Sequence, residues 1–537
     1  MPTPMLTLLS FGSIHRQLSP STDGPLGATR IAAALGLLGA LVASACGHDK
    51  PLAAASGGDA VHGVGLGGAM AGAAGTTPVV SGVSGAGAGA GGATALDTSC
   101  DAIGDAPTIP PACATVRATR STLPTGGPSD ETSLDTAAIQ AAIDGCPAGQ
   151  SVRLASDESG AFTAFVSAPL ALRDGVALWI DAGVTLFASR DPRDFDFRPG
   201  SGLCGGNGTG NASCRALINA STTAGSAVVG AGTIDGRGGE PLVGGSSTWW
   251  QLESMYGGEL AAPRLVQTNG GTDFTLFGVT LRNSPKFHVV LQGTVGFKVW
   301  GITISTPPSA PNTDGVDPSA TRNGVIAYCT ISTGDDNVAV KGAGPVDGLI
   351  IAHNHFGRGH GMSIGSETNG GVRNVRVCDL SLDGTDNGIR IKSDLGRGGL
   401  VRGISYTDVC MRGVKRPLVF DPFYSSAAGN LVPDFADILV RNLHVLGGGV
   451  LTLRGRDAAH PLGLTLDNVV FDQPPGGTCT DADITLGPGP VSFVPSGVDI
   501  QIDRLSAPGS PDSPDLADSA PAAPVAPRDC SNSWVTF

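Results

Sequence analysis

The chain has 537 residues, enough for about two to four ordinary domains or for one long repeat architecture. Its 81 glycines and its low aromatic content of 5% disfavour a helical bundle and suit a fold with many tight turns. The formal charge of −14 gives no global support to nucleic-acid binding, and it repels polyanionic polymers as well. A polyanionic partner would therefore need a local cationic cleft.

Residues 1–46 are predicted to be a leader and signal peptide. The apolar run 31–45 follows Arg30 and ends in small residues, as in the hydrophobic region and cleavage zone of a secretory signal. It is shorter than the roughly 20 apolar residues that span a membrane. Cys46 resembles the lipidated cysteine of a bacterial lipoprotein, although Ala43 replaces the usual leucine. Plain secretion and an outer-surface lipoprotein tethered through Cys46 both remain open.

Three further segments follow the signal. Residues 47–112 are rich in Gly, Ala and Ser without a hydrophobic period, which predicts a disordered linker. Residues 113–505 are predicted to form one catalytic domain, with order beginning near Cys113. Residues 506–537 are rich in Pro and Ala and predict a mobile tail, tied back by Cys479 and Cys530.

Cysteine usage fits an exported protein. Of the 11 cysteines, ten remain if Cys46 carries lipid, and an even number is compatible with disulfides. Cys204 and Cys214 flank a short polar loop that a disulfide would staple. No pair of cysteines has the CxxC spacing, which disfavours a structural zinc site.

Residues 135–146 predict a short helix at the start of the domain. Asp135 is a candidate N-cap, and Ile139 and Ile143 share one face. A solenoid needs its open end covered, so this helix is predicted to be an N-terminal cap.

From about residue 150, short β-branched and aliphatic runs alternate with turn residues. The interval from Ile326 to Ile350 is 24 residues, and the interval from Ile350 to Val375 is 25. Such short strands need crossovers to pair in parallel within a flat sheet, and no helical period lies between them, so the chain must coil. The predicted fold class is all-β, a parallel β-helix, with a β-sandwich as the structural alternative.

Four polar motifs fall in four successive repeats: Asn312–Gly315, Gly334–Asn337, Gly359–Gly361 and Arg390–Lys392. Asp314, Asp335, His360 and Arg390 follow one another at about one coil each. Neighbouring coils lie about 4.8 Å apart, so the motifs are predicted to converge on one face. Each motif alone is an ordinary turn or surface strand, but four at this spacing predict a site.

The residue types in these motifs suit glycoside hydrolysis. That reaction needs a carboxylic acid to protonate the leaving oxygen and a carboxylate to activate water or to attack the sugar. Crowded carboxylates raise the pKa of at least one member, which stays protonated while its neighbours ionise. Arg390 and Lys392 provide the local cationic cleft, and Arg358 and Arg397 are predicted to add to it.

The sequence resembles the polygalacturonase family of glycoside hydrolases, family 28, at NTDGVDPS, STGDDNVAVKG, GRGHGMSIGSE and NGIRIKSD. The similarity extends from about Cys113 to about residue 475 and is strongest to bacterial endo-polygalacturonases. It implies a right-handed parallel β-helix and single-displacement hydrolysis of α-1,4-linked galacturonate with inversion. It also implies that no metal or other cofactor takes part.

The resemblance also implies a role for each catalytic residue. Asp335 would be the general acid, and Asp314 and Asp336 would together hold and deprotonate the attacking water. His360 would tune the protonation of this group without attacking the substrate.

The substrate carboxylate would be bound by Arg390 and Lys392. Tyr424 matches a family tyrosine that lines the same subsite, although Phe423 and Tyr424 could instead merely cover a coil edge. Asn312, at the head of the first motif, is also assigned to substrate binding.

Two kinds of alternative remain. One is another β-helix pectinase: an exo-polygalacturonase, a rhamnogalacturonan hydrolase or a calcium-dependent lyase. The other is a non-catalytic β-helix that binds carbohydrate at the cell surface. No long insertion separates the motifs, which favours endo action on polygalacturonate. The protein is predicted to be a monomer.

Overall fold

The computed structural model describes residues 99–121, 131–202, 204, 214–258, 260–505 and 526–537. The predicted signal peptide, Cys46 and most of the predicted linker and tail lie outside these residues. Within them, neither helix has the length and apolar character that crossing a membrane requires.

The described strands form one continuous parallel sheet that winds into a coil. Each strand pairs with the strand one coil earlier and the strand one coil later, and the strand pairs are all parallel. A β-sandwich is excluded because its sheets are antiparallel. The predicted all-β, right-handed parallel β-helix is confirmed, with the handedness that parallel crossovers adopt.

Three stacks of strands make up the coil. The first, called the site stack, consists of Leu170–Ala171, Ile218–Ser221, Val266–Asn269, Val289–Gln292, Val316–Ser319, Val338–Val340, Met362–Ile364, Asn387–Lys392, Arg416–Asp421 and Val450–Arg454. The second stack begins with Ala112–Arg117, Gln150–Ala155, Val176–Ile180, Ala227–Gly230, Thr275–Phe277, Lys298–Trp300 and Val325–Ala327. The third begins with Ala164–Ser167, Thr185–Ala188, Thr233–Asp235, Thr280–Arg282, Thr303–Ser305 and Thr330–Ser332.

In later coils the second and third stacks merge into long bent strands. These are Val346–Phe356, Val372–Asp383, Leu400–Arg412, Asp434–Leu446, Leu462–Phe471, Gly476–Leu486 and Val498–Arg504. Short 3₁₀ turns lie at Asp101–Ile103 and Pro192–Phe195.

The predicted repeat length is confirmed, but the alignment of the repeats was wrong by one residue. Ile350 pairs with Val325, and Ile326 pairs with Ile351. Ile350 pairs on its other side with Arg376. Side chains alternate between the two faces of a strand, so an offset of one residue exchanges interior and exterior positions.

Apolar columns fill the interior of the coil. In the third stack, Ile304, Ile331, Phe356, Leu382 and Met411 pair in sequence, and each is buried. Burying an aliphatic or aromatic side chain contributes about 1.5–3 kcal/mol. This repeated contribution fixes the register and holds the outward side chains of the site stack at one coil spacing.

The first α-helix, Thr136–Gly145, covers the N-terminal end of the coil, as predicted. Ile139 and Ile143 are fully buried. Asp135 is the N-cap residue, as predicted, but its side chain makes no capping hydrogen bond. Its carboxylate instead accepts a hydrogen bond from the backbone N–H of Val166 at 2.8 Å and lies 3.4 Å from the Nε of Arg120.

A second α-helix, Trp249–Met255, was not predicted. Its sequence signal is a capping box, in which Thr248 accepts from the backbone N–H of Gln251 and the Gln251 side chain accepts from the backbone N–H of Thr248. The helix is important for the site because it places Glu253 inside the protein.

Four disulfides link the described residues. The predicted staple Cys204–Cys214 is confirmed, and Cys113–Cys146 joins the first strand to the cap. The start of the described chain is attached by Cys100–Cys378, so the ordered fold begins earlier than the predicted boundary near Cys113.

The tail is attached through Cys530, as predicted, but the prediction that Cys479 is its disulfide partner was wrong. Cys530 is bonded to Cys410. Cys479 lies beside Leu453 in the neighbouring coil, and its free thiol is buried in the apolar interior. Cys329 is the other buried free thiol among the described cysteines.

Candidate active site

The four polar motifs lie together on the site stack, as their spacing predicts. Val316 pairs with Val338, Val338 with Met362, and Met362 with Ile389. Backbone hydrogen bonds join the turns before these strands: Gly315 N–H donates to the Asp336 carbonyl at 2.8 Å, and His360 N–H donates to the Asp335 carbonyl at 2.8 Å. The apolar repeat therefore places chemically unlike motifs one coil apart.

Asp335 and His360 form a hydrogen-bonded pair at the centre of the site. The Nδ1 of His360 lies 2.9 Å from the Oδ1 of Asp335. Burial would lower the pKa of His360, but the Asp335 carboxylate outweighs burial and raises the pKa above its usual value. The pair therefore holds a proton to higher pH than an isolated histidine would.

Asp336 is surrounded by cations. It is fully buried, with Arg390 donating to its Oδ1 and the Nζ of Lys392 lying 3.2 Å from its Oδ2. Ser363 donates to the same Oδ1 at 2.8 Å and accepts from the Nε of Arg390 at 2.9 Å. Burial would raise the pKa of Asp336, but the charges of Arg390 and Lys392 hold it far below its usual value. Asp336 is therefore a carboxylate.

Asp314 has the opposite electrostatic character. Its nearest cation is Lys341, with 3.7 Å between Nζ and Oδ2. Burial, together with the nearby charges of Asp317 and Asp335, raises the pKa of Asp314 well above its usual value. Asp314 therefore keeps a proton to higher pH than an ordinary aspartate does.

Sequence reasoning missed Asp317 and Lys341, which lie beside Asp314. Asp317 is buried, its Oδ1 has no hydrogen-bond partner in the described part of the chain, and burial raises its pKa to about 7. Glu367 and the two aspartates outweigh the burial of Lys341 and raise its pKa. The sequence signal for Asp317 was its spacing three residues after Asp314, within the motif NTDGVDPS.

His288 stabilises the turn that carries Asp314. Its Nδ1 lies 2.9 Å from the Asp314 carbonyl oxygen, and its Nε2 lies 2.7 Å from the Oγ1 of Thr306. Complete burial lowers its pKa to about 4, so the ring is neutral at physiological pH. It fixes the turn without adding charge to the site.

Asn312, predicted to bind substrate, has its amide nitrogen directed inward. The Nδ2 donates to Glu253 at 2.6 Å and to the Gly258 carbonyl at 3.2 Å. Glu253 is also paired with buried Lys286, whose Nζ lies 2.7 Å from its Oε1. Any contact of Asn312 with substrate would therefore use its Oδ1.

Tyr424 lies beside Lys392, as predicted. The Nζ of Lys392 lies 4.8 Å from the centroid of the Tyr424 ring. The backbone N–H of Tyr424 donates to the Ser393 carbonyl at 2.9 Å, which fixes the loop after Asp421 against the preceding coil. The tyrosine therefore contacts the cationic end of the site.

Arg397 and Arg358 differ in their contribution to the positive field. Arg397 lies 3.1 Å from both Asp394 and Glu367, so its charge is largely balanced. Arg358 is exposed next to the His360 motif.

Asp335, Asp336 and His360 could also be considered as metal ligands, because one ligand atom of each lies within 4.8 Å of the others. Two observations oppose such a site. Arg390 and Lys392 already compensate Asp336 and would repel a cation, and the Nδ1 of His360 is engaged by Asp335. The residues present fit acid–base chemistry better than metal binding.

Asp335 and Asp336, beside Arg390 and Lys392 on one face of a parallel β-helix, provide the pair of carboxyl groups that glycoside hydrolysis requires. The comparison with family models gives the family: residues 185–484 match the model described as glycosyl hydrolases family 28. The chain belongs to this polygalacturonase family, and it is a glycoside hydrolase.

Individual relatives agree with this assignment. The chain is 50% identical over 387 residues to a polygalacturonase of Ralstonia solanacearum, covering 63% of this chain and 73% of the relative. It is 43% identical over 370 residues to an endo-polygalacturonase of Pectobacterium parmentieri, covering 68% and 87%. A solved polygalacturonase from Erwinia carotovora superposes with a TM-score of 0.65 at 40% identity, covering 71% of this chain and 98% of that one.

Proposed function

We propose that the protein hydrolyses α-1,4-galacturonosyl linkages within polygalacturonate, by an inverting, metal-free acid–base mechanism. One observation supports the proposal most strongly. A carboxylate kept ionised by Arg390 and Lys392 lies directly beside a carboxyl group that shares a hydrogen bond with His360. Inverting hydrolysis needs one acid and one base at the same bond.

Asp335 is the proposed general acid. Its side chain is slightly more open to the groove than that of Asp336, and the His360 hydrogen bond gives the pair one proton to hold. When Asp335 passes this proton to the leaving oxygen, His360 can supply the next one. His360 acts through Asp335 and does not touch the sugar.

Asp336 is the proposed base, with Asp314 holding the water beside it. Arg390 and Lys392 keep Asp336 ionised, so it can accept a proton from the attacking water. Asp314 has a raised pKa and can donate a hydrogen bond to that water. The two acids therefore divide the predicted joint role: Asp314 positions the water and Asp336 deprotonates it.

Arg390 and Lys392 are also proposed to bind the uronate carboxylate at the bond that is cut. Each presents several N–H donors, so a cation that contacts Asp336 can also donate to a substrate oxygen. Tyr424 lines this subsite over Lys392. Asn312 would contribute its carbonyl oxygen from the first motif.

Endo action is supported by the outward surface of the site stack, which would form the floor of the proposed substrate groove. One outward column of the site stack runs through Asn219, Gln267, Val290, Asp317, Ala339, Ser363, Arg390, Val419 and Thr452. The catalytic motifs lie near the middle of this column rather than at one end. A chain that extends in both directions from the site would have floor beneath it on each side.

The experiment is incubation of the purified protein with polygalacturonate, with and without a chelator, while reducing ends and ultraviolet absorbance are recorded. The proposal predicts reducing ends that form equally fast with chelator and no new absorbance. A lyase creates a carbon–carbon double bond, so rising absorbance would contradict hydrolysis. Activity that chelator removes would contradict the metal-free mechanism. Product sizes over time separate endo from exo cleavage.

Export as a monomer is proposed as well, either free or tethered through a lipidated Cys46. The support for export is the sequence pattern of residues 31–46, which resembles a secretory signal that ends at a cysteine. Fractionation of cells that express the natural chain and Cys46→Ala tests the tether. If Cys46 is lipidated, the natural protein should be found with the membranes and the Cys46→Ala variant should be released. Equal release of both proteins would favour plain secretion.

A further inference from the structure

A second cationic cluster lies on the same groove floor, beyond the catalytic residues. It consists of Arg454, Arg456 and Phe423 and is called the arginine–phenylalanine cluster here. Both guanidinium carbons lie 4.3 Å from the centroid of the Phe423 ring. The ring is 37% exposed.

The register of the site stack places this cluster in line with the catalytic centre. Lys392 pairs with Asp421, and the pairing of Phe420 with Leu453 in the next coil brings Arg454 opposite Asp421. Arg454 is therefore two coils, about 10 Å, beyond Lys392 in the same outward column. A polymer lying along the floor would cross the cluster after leaving the site.

Charge in the cluster is only partly compensated. Arg454 lies 3.4 Å from Asp421, which fixes its position on the floor. Arg456 forms no ion pair within the described part of the chain, and the neighbouring Asp457 is engaged with His460 at 3.0 Å. One net positive charge therefore remains beside an exposed aromatic ring.

The cluster presents cationic guanidinium groups and an exposed aromatic ring, which suit the carboxylate and the sugar ring of a uronate unit. A guanidinium donates two parallel hydrogen bonds to a carboxylate, and stacking on Phe423 keeps the guanidinium planes ordered before the ligand arrives. We propose that the arginine–phenylalanine cluster is a distal subsite that binds the free carboxylate of a galacturonate unit beyond the cleaved bond. This rests on the proposed function for the identity of the polymer.

The test compares the natural protein with the double variant Arg454→Gln/Arg456→Gln on hexagalacturonate and trigalacturonate. Arg402→Gln is the control, because Arg402, like Arg454, is paired with an aspartate, here Asp437, but lies away from the site stack. We expect about a 10-fold rise in KM for hexagalacturonate, since a charge-assisted pair is lost. The kcat for it and the KM for trigalacturonate should change less than about twofold.

Two outcomes would overturn the proposal: an unchanged KM for the hexamer, or an equal rise of KM for both oligomers. The second would assign the arginines to the catalytic subsites instead. If the double variant does not fold, as judged by its melting curve, Arg456→Gln alone is measured, because that arginine supports no ion pair in the described structure.

Equilibrium binding of hexagalacturonate separates this proposal from the proposed function. If the natural protein cleaves no galacturonate polymer, the proposed function fails. The distal subsite still predicts about 10-fold weaker hexamer binding by the double variant than by Arg402→Gln, and equal binding by the two would contradict it.

Discussion

The Nδ1 of His360 and the Oδ1 of Asp335 share a hydrogen bond of 2.9 Å across neighbouring coils. This bond joins a histidine whose pKa is raised by the neighbouring carboxylate to the proposed general acid. Next to it, Asp336 is locked as a carboxylate by two cations. The proposed acid and the proposed base are thus adjacent residues in the chain, and they differ because their side chains meet different partners.

Replacing the proposed acid should remove hydrolysis but leave binding. Asp335→Asn keeps the shape of the side chain and removes its transferable proton, so kcat on polygalacturonate should fall by about 10²–10⁴-fold or more. The dissociation constant for polygalacturonate should stay within about threefold. Reducing-end assays and equilibrium binding measure the two quantities. Asp437→Asn, at an exposed ion pair on the second stack, is the control; unchanged turnover in Asp335→Asn would leave the mechanism without its acid.

Removing a cation from Asp336 should shift the acid limb of the pH profile. With Arg390→Gln, the pKa of Asp336 rises because one of the two charges that lower it is gone. The base is then protonated at higher pH, so the acid limb of kcat/KM should move up by about 1 unit or more. KM should rise as well, since Arg390 also binds substrate. Arg412→Gln, an exposed arginine paired with Asp383, should leave the limb in place. An acid limb that does not move in Arg390→Gln would argue against Asp336 as the base.

The alkaline limb should depend on His360. Its raised pKa keeps a proton on the Asp335–His360 pair as pH increases. In His360→Asn that proton is lost earlier, so activity should decline at lower pH than in the natural protein. The loss of kcat at the optimum should be smaller than in Asp335→Asn, because the acid itself remains. A profile of kcat against pH measures this, and an unchanged alkaline limb would show that another group sets it.

The sequence was sufficient to predict the convergence of the site. The apolar period fixes which turns are neighbours, so Asp314, Asp335, His360 and Arg390 could be placed together before any coordinates. Two properties could not be predicted. Turn lengths vary between coils, which left the register uncertain by one residue at Ile350. Burial is a property of the whole fold, so the spacing of Asp317 after Asp314 did not show that Asp317 is buried, and the crowding of acids did not show which of them has an elevated pKa.

The short helix that carries Glu253 was missed for a related reason. It spans only seven residues, and its only sequence signal was the Thr248 capping box. The disulfide partner of Cys530 was also misassigned, because interior and exterior positions of Cys410 and Cys479 depend on register.

Asp317 should reduce stability at neutral pH. Burial raises its pKa from 3.8 to about 7, so between these values the unfolded chain releases a proton that the folded chain retains. The free energy of unfolding therefore falls as pH rises through this window, by at most about 4 kcal/mol for this group. Asp317→Asn should be more stable relative to the natural protein at pH 7.5 than at pH 4.5. Denaturant unfolding at both pH values measures this, with exposed Asp347→Asn as the control. An equal stability difference at both pH values would contradict it.

The most direct measurement of the central claim is the configuration of the new reducing end, followed by proton NMR immediately after mixing the natural protein with polygalacturonate. If Asp335 protonates the leaving oxygen while Asp336 directs water to the opposite face of the sugar, the first product has the β configuration and turns into the α form only later. First appearance of the α form would require a covalent intermediate on an acid and would contradict the account.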